Sequence, residues 1–410
     1  MDRQDCQRLD QNCVLKHTRD RFALPEDVLY FDGNSLGALP RTTTTDVTKA
    51  IDEEWGKGLI KSWLDADWFF QSNQAGDTIA PFIGASAGEV TVSDSTSVNI
   101  FKIAAALLRQ SESRSRVITE RGNFPTDAYI LEGTIDLLDK DHELVLTEPD
   151  QITDSINDQT ALVLLTHINY RTGKMHDMAG ITAKCKDHNV PIIWDLCHSA
   201  GAVPLALNEW GVDYAVGCTY KFLNSGPGAP AFSYVSKAAI EKFKPAVTGW
   251  FSHRNQFGFE DGYQAADSIN KCLVGSPQIL SLRGVLNGIG SFEGVSMTNL
   301  RAKSIALTEL FIELADERLA KFGLELASPR NANIRGSQVS FNHPEAYAIC
   351  KALIDRQVTP DFREPNILRF GITPLYMRYT DVWDVVEILE DIMMISTWQE
   401  FKSDVKEAVT

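Results

Sequence analysis

Between about residues 80 and 240 short apolar runs alternate with segments of helical period, and this alternation constrains the fold more than any other feature of the chain. Residues Arg116–Glu120, Glu143–Leu146, Ala161–Thr166, Pro191–Asp195 and Tyr214–Thr219 read as strands, and Ser97–Arg109 and Met178–His188 as amphipathic helices. Runs such as ALVLLT are apolar on both faces, as strands covered by helices on each side must be, so a mainly parallel sheet is predicted. Beyond residue 300 the pattern changes to long helices at Ala302–Phe322, Ala346–Gln357 and Asp381–Ile395, with short strands Gln338–Phe341 and Leu368–Ile372. That change predicts a smaller α+β domain. No repeat or Gly/Ser linker divides the chain, so the domains are joined by ordinary loops.

The length of 410 residues allows two or three domains at about 150 residues each. The 55 acidic against 39 basic residues give a net charge of −16, which repels phosphate backbones and anionic lipid. Nucleic-acid and membrane-surface partners are therefore not expected. Seven cysteines without a CxxC pair point to a reducing compartment, with neither a disulfide framework nor a metal site. A start without an apolar core and the absence of a long uncharged stretch lead us to expect a cytoplasmic protein.

Chemistry concentrates between Pro191 and Pro230. Asp195 stands at the carboxyl end of a buried strand, where open α/β sheets collect ligands, and His198 follows three residues on. A second strand ends in Tyr220-Lys221 and a Gly/Pro loop, 26 residues after that aspartate. Parallel strands place Asp195 and Lys221 at one sheet edge. A lysine among apolar and aromatic residues there can lose its proton and form an imine, which together with a carboxylate for a pyridine nitrogen is what a pyridoxal phosphate site requires. Two unit charges 4 Å apart at an effective dielectric of 20 attract by about 4 kcal/mol, worth roughly three pKa units. The segment Ser93-Asp94-Ser95-Thr96-Ser97 opens a helix and offers hydroxyls and free amides to a phosphate, or merely caps that helix. Asn123-Phe124-Pro125-Thr126-Asp127 offers an aromatic face and a carboxylate. The loop Asp32-Gly33-Asn34-Ser35-Leu36-Gly37 can be a structural turn, which its residues alone favour, or can present amides to an anion. Taken singly, Asp195 could cap a helix, His198 could be a satisfied structural histidine and Lys221 could be solvated. Their conjunction points to the cofactor.

The segments WDLCHSAG (194–201) and GVDYAVGCTYKFLNSGPG (211–228), with GNSLG, WGKGLIKSW, DSTSVNIFK, NFPTDAY, GWFSH and ILRFGITPLY in the same order along nearly the whole chain, closely resemble the kynureninase family. The resemblance implies a pyridoxal-phosphate fold type I architecture, with a large domain at residues 60–290 holding a mainly parallel seven-stranded sheet. A small α+β domain would be formed by residues 1–59 and 291–410. It implies a hydrolase of tryptophan catabolism that cleaves L-kynurenine, and 3-hydroxykynurenine less well, to anthranilate and alanine. By the same resemblance Lys221 is the Schiff-base lysine, Asp195 the pyridinium partner with His198 close by, Phe124 the residue stacked on the ring, and Asp127 a neighbour of the cofactor. Ser95, Thr96, Thr166 and Tyr220 line the cofactor or its phosphate, and Tyr220 doubles as a late proton donor. Arg369 binds the substrate carboxylate, by a bidentate pair, while Ser35 and Trp63 line the substrate pocket. Trp250 and Ser276 complete the site of a partner subunit in a homodimer. Ser276 stands where animal members carry Asn, and Trp63 where they carry His, the latter as in bacterial members and favouring unhydroxylated kynurenine. A cysteine desulfurase would share the Asp…Lys arrangement but needs a mobile cysteine downstream, for which only Cys272 and Cys350 are available. A regulator on the same scaffold would need a basic extension that the first 20 or so residues do not supply.

Overall fold

A computed structural model of the chain describes residues 1–111 and 113–403. A short N-terminal strand, β1 (Leu29–Tyr30), precedes seven strands that form one sheet. They are β2 (Val90–Val92), β3 (Arg116–Glu120), β4 (Glu143–Thr147), β5 (Thr160–Thr166), β6 (Ile192–Asp195), β7 (Tyr214–Gly217) and β8 (Phe232–Val235). Their order is β2-β8-β7-β6-β5-β3-β4. The pairs β4–β3, β3–β5, β5–β6 and β6–β7 are parallel, and β8 runs antiparallel to both of its neighbours. The sheet is therefore the mainly parallel one predicted, with seven strands. Periodicity missed β2 and β8, which are three and four residues long and too short to show a pattern.

Both faces of the sheet are covered. Every residue of β5 is buried; Leu162 and Leu164 join one apolar cluster with helix Thr96–Gln110, while Val163 and Leu165 join a second, larger cluster on the opposite face. Alternate side chains of a strand point to opposite faces, so a continuous apolar run is what two helical layers demand. Each such side chain contributes about 1.5–3 kcal/mol by leaving water. The strand ends at Glu120, Thr166, Asp195 and Gly217 consequently emerge side by side at one edge.

The remaining strands are β9 (Glu325–Leu326), β10 (Gln338–Asn342), β11 (Val358–Thr359), β12 (Asp361–Arg363) and β13 (Ile367–Gly371). β12, β13, β10 and β9 form an antiparallel sheet in that order. It packs with helices Met297–Arg318, Ala346–Asp355 and Tyr379–Ile395, the region predicted to be α+β. The first of these starts earlier than predicted because Ser296 caps it, its Oγ accepting from the Asn299 amide at 3.1 Å.

The N-terminal segment returns to this region: β1 pairs in parallel with β11. The Asp10 carboxylate, from helix Arg3–Asn12, caps helix Tyr379–Ile395 by accepting from the Tyr379 amide at 2.6 Å and the Thr380 hydroxyl at 2.8 Å. Acidic groups are favoured at a helix N-terminus because four amides there have no helical partner. Among the described residues no helix is long and apolar enough to cross a membrane.

Candidate active site

Asp195 ends β6, while β7 stops at Gly217 rather than at Thr219 as predicted, so Lys221 lies in the turn four residues beyond it; the parallel pairing predicted from sequence still brings both to one cavity of about 630 Å³. The cavity is also lined by Ser95, Thr96, Phe124, Asp127, Thr166, His198 and Tyr220. Lys221 Nζ lies 2.9 Å from His198 Nε2 and 5.9 Å from the centre of the Phe124 ring. Burial, and then the Lys221 charge, hold the His198 imidazole well below its usual pKa, so it is neutral beside the lysine.

Asp195 is 4% exposed, and one oxygen accepts from the Cys197 amide at 2.7 Å. Burial raises its pKa. Asp127 is buried too, and desolvation together with the nearby Asp195 charge raises its carboxyl well above the ordinary range. Two carboxylates in one dry wall repel, and the wall answers with donors: Thr166 Oγ1 donates to Asp127 Oδ2 at 3.1 Å and Asn123 Nδ2 to the same oxygen at 3.0 Å.

At another wall Ser95 caps helix Thr96–Gln110, its Oγ accepting from the Val98 amide at 3.3 Å. Asp94, one residue before, sits in the left-handed region at φ +57° and is held by Lys102 Nζ, 2.8 Å from its Oδ2. The Ser95–Ser97 turn caps the helix and also lines the cavity.

The residues fit pyridoxal phosphate, the cofactor implied by the resemblance. Asp195, a buried carboxylate with no ion pair among the described residues, suits a positive ring nitrogen, the turn at Ser95 suits a dianionic phosphate, Phe124 gives a ring face, and Lys221 is the amine. His198 Nδ1, buried with no partner among the described residues, shows that this wall is built for more than the chain alone supplies.

Arg369 lies outside this lining. It is 1% exposed on β13, and both of its Nη nitrogens are engaged: Nη1 donates to the Tyr170 carbonyl at 2.6 Å, and Nη2 to Ser35 Oγ at 2.8 Å and to the Asp361 carboxylate. With the Asn34 amide in the orientation its surroundings favour, Arg369 Nε donates to that side chain as well, at 3.0 Å. The predicted bidentate grip is thus not open in this conformation: Asp361 already occupies the guanidinium, and one Nη1 hydrogen remains. Arg363, two residues after Asp361, donates to its other oxygen at 2.6 Å.

The loop at 32–37 abuts this network through Ser35. Gly37 lies so close to the lysine loop that a Cβ would meet the Lys221 carbonyl at 2.4 Å, and its amide donates to the Tyr220 carbonyl at 2.7 Å. The loop is therefore a structural wedge between Lys221 and Arg369. Burial and the Asp361 charge push Asp32 in it up to about 8.

Trp63, Trp250 and Ser276 are not brought to the cavity either. Trp63 packs on Trp68 and Phe251, at ring separations of 6.0 and 6.2 Å. Trp250 packs on Phe251 and Phe257 and keeps 40% of its surface exposed. Ser276 is exposed, while Gln278 beyond it does line the cavity.

Sequence reasoning missed Tyr170, Cys197, Gln278 and the pair Asp361 and Arg363. Tyr170 lies in the loop after β5 and packs edge-to-face on Phe124 at 5.2 Å. Its signal was the position after a strand end. Asp361 and Arg363 are spaced by two, which puts both on one face of a strand.

Residues 300–389 match the kynureninase C-terminal domain, and residues 60–205 match the DegT/DnrJ/EryC1/StrS aminotransferase family. The chain is 48% identical over 413 aligned residues to the kynureninase of Pseudomonas fluorescens, covering 100% of this chain and 99% of that one. The chain belongs to the kynureninase family. The kynureninase of Burkholderia pseudomallei strain 1106a is 45% identical with the same coverage. Among solved structures the fold resembles a cysteine desulfurase from Thermococcus onnurineus NA1, with a TM-score of 0.79, 18% identity, and coverage of 92% of this chain and 98% of that one. The cystine C–S lyase C-DES, in complex with cysteine persulfide, has a TM-score of 0.78 at 16% identity, covering 89% and 98%. These likenesses show the fold type I architecture. Cys272 and Cys350, downstream of Lys221, are 1% and 0% exposed and held in a 3-10 turn and a helix rather than in mobile loops.

Proposed function

We propose that the cavity around Lys221 is where this member of the kynureninase family, a pyridoxal-phosphate-dependent hydrolase, cleaves the Cβ–Cγ bond of L-kynurenine to give anthranilate and L-alanine. The observation that carries the assignment of the site is the convergence of Lys221, Asp195 and the Ser95 helix turn on one cavity.

Lys221, Tyr220, Asp195, Ser95, Thr96, Phe124, Asp127, Thr166 and His198 would hold the cofactor. When bound, pyridoxal phosphate supplies an electron sink for the bonds made and broken at the substrate's Cα and Cβ. Asp195 keeps its charge opposite the ring nitrogen, which sustains that sink near neutral pH. Lys221 Nζ, once released, removes the Cα proton, and the neutral His198 beside it adds no competing positive charge. Water adds to the γ-carbonyl carbon; the Cβ–Cγ bond then breaks, its electron pair going to Cβ and the carbonyl carbon leaving as the anthranilate carboxyl. Tyr220, raised above its ordinary pKa by Cys218 and by burial, keeps its hydroxyl proton and delivers it to Cβ.

Arg369 receives the substrate carboxylate by releasing Asp361, which Arg363 then retains through its second oxygen. Ser35 moves with Arg369, to which it is bonded. Trp63, Trp250 and Ser276 act from outside the single-chain cavity; we assign Trp250 and Ser276 to the partner's site in a homodimer, a reading supported by the exposure of both. We also divide the chain into a large domain at 60–290 and a small one from 1–59 and 291–410, of which 404–410 lie outside the described residues; the β1–β11 pairing supports this. We place the protein in the cytoplasm, supported by its seven cysteines all being free thiols.

Borohydride reduction of the holoenzyme followed by peptide mapping tests the core of this reading. The phosphopyridoxyl label is expected on Lys221, and a label on any other lysine contradicts it.

A further inference from the structure

A second cavity, of about 530 Å³, lies on the far side of the chain segment that carries Tyr170. Its lining includes Glu120, Arg171, Lys174, Asn342, Leu326 and Ile367, so it opens between the end of β3 and the antiparallel sheet. Residues 168–175 form a hairpin closed by the Ile168–Met175 bridge and the hydrogen bond from the Asn169 amide to the Lys174 carbonyl at 2.9 Å. Tyr170 faces the cofactor cavity, and Arg171 and Lys174 face this one. The hairpin is a wall of both.

The second cavity holds polar groups that the fold leaves unanswered. Glu120 is 2% exposed; His176 Nε2 meets its Oε2 at 2.7 Å, but Oε1 is buried without a partner among the described residues. An orphaned buried carboxylate oxygen costs free energy until a donor reaches it. The Arg171 Nε–H is buried and unpartnered too, and Lys174 adds a second cation to the same lining. A ligand answering all three carries a donor, best a cationic one, at Glu120 and a carboxylate at Arg171 and Lys174, with a small apolar group against Leu326 and Ile367.

We propose that this cavity binds a small α-amino acid as its zwitterion, ammonium toward Glu120 and carboxylate toward Arg171 and Lys174. It is separate from the cofactor cavity: neither Glu120 nor Arg171 lines that site. L-Alanine, which the reaction releases, has the required chemistry.

The test is calorimetric titration of L-alanine into holoenzyme whose lysine–cofactor linkage has been reduced with borohydride, so that the amino group cannot react at Lys221. One saturable site per chain is expected, weakened about tenfold or more in both Glu120→Gln and Arg171→Met. Arg171→Met also serves if Glu120→Gln fails to fold, and retained anthranilate formation in each variant reports folding. Acetate and methylammonium, each offering half of the zwitterion, should bind at least tenfold more weakly than alanine. Absence of a saturable site, affinity unchanged in Arg171→Met, or acetate binding as tightly as alanine would each overturn the proposal.

Discussion

The cofactor wall and the arginine wall of this protein are built in different ways. Thr166 and Asp195 end adjacent strands of a ladder with paired neighbours on both sides, and Lys221 follows in the turn four residues beyond β7. Arg369, Ser35 and Asp361 come from β13, an N-terminal loop and β12, and they satisfy one another rather than facing the cavity. Groups on sheet ends are placed by backbone hydrogen bonding and are ready before a ligand arrives. Groups recruited from separate segments are placed by side-chain pairing, which a competing carboxylate can exchange. On the function we propose, the difference makes cofactor binding preorganised, whereas the substrate carboxylate has to displace Asp361 from Arg369.

That contrast can be broken by substitution. The largest effect is expected for Lys221→Ala, which removes base and anchor together: anthranilate formation, followed by fluorescence, should fall by roughly 10⁴-fold. Asp195→Asn should lower kcat by on the order of 10³-fold, since about 4 kcal/mol of attraction for a ring proton is lost. On the arginine wall, Arg369→Lys keeps the charge but not the planar fork, and should raise KM for kynurenine by about tenfold or more in steady-state assays. A comparable loss of cofactor affinity in that variant would dissolve the distinction between the walls.

Smaller effects concern stability. Asp32 titrates near 8 in the folded chain against about 4 when unfolded. The native state therefore binds the extra proton between those values, and the Asp32 contribution to stability falls as pH rises from 4 to 8, levelling above 8. Urea unfolding across that range should show a pH slope in Asp32→Asn less negative than the parent's by the Asp32 contribution. The smallest change is expected for Asp10→Ala, which uncaps helix Tyr379–Ile395 and should cost about 1 kcal/mol in the same measurement.

The same contrast governs what could be read from the sequence. β3, β5 and β6 were legible almost residue for residue because a strand buried on both faces writes itself as an unbroken apolar run. Lys221 and Asp195 were legible with them, since the end of such a strand is a position. Asp361 and Tyr170 were not, because a side-chain pairing between segments far apart in the chain leaves no local period. Arg369 was named through a resemblance, but its engagement by Asp361 depends on the β12–β13 register, with Asp361 directly opposite Arg369, which no pattern in either segment reveals. Trp63 shows the same limit: its contact with Phe251 joins segments far apart in the chain.

The central claim, that one wall holds the cofactor and the other the substrate, is tested most directly by a paired titration of Asp195→Asn and Arg369→Ala. Pyridoxal phosphate binding is read by absorbance and kynurenine KM by anthranilate release. The account predicts that Asp195→Asn alters the cofactor's spectrum and affinity, while Arg369→Ala leaves both within about twofold of the parent and raises KM by tenfold or more. Equal losses of cofactor and substrate binding in Arg369→Ala would contradict it.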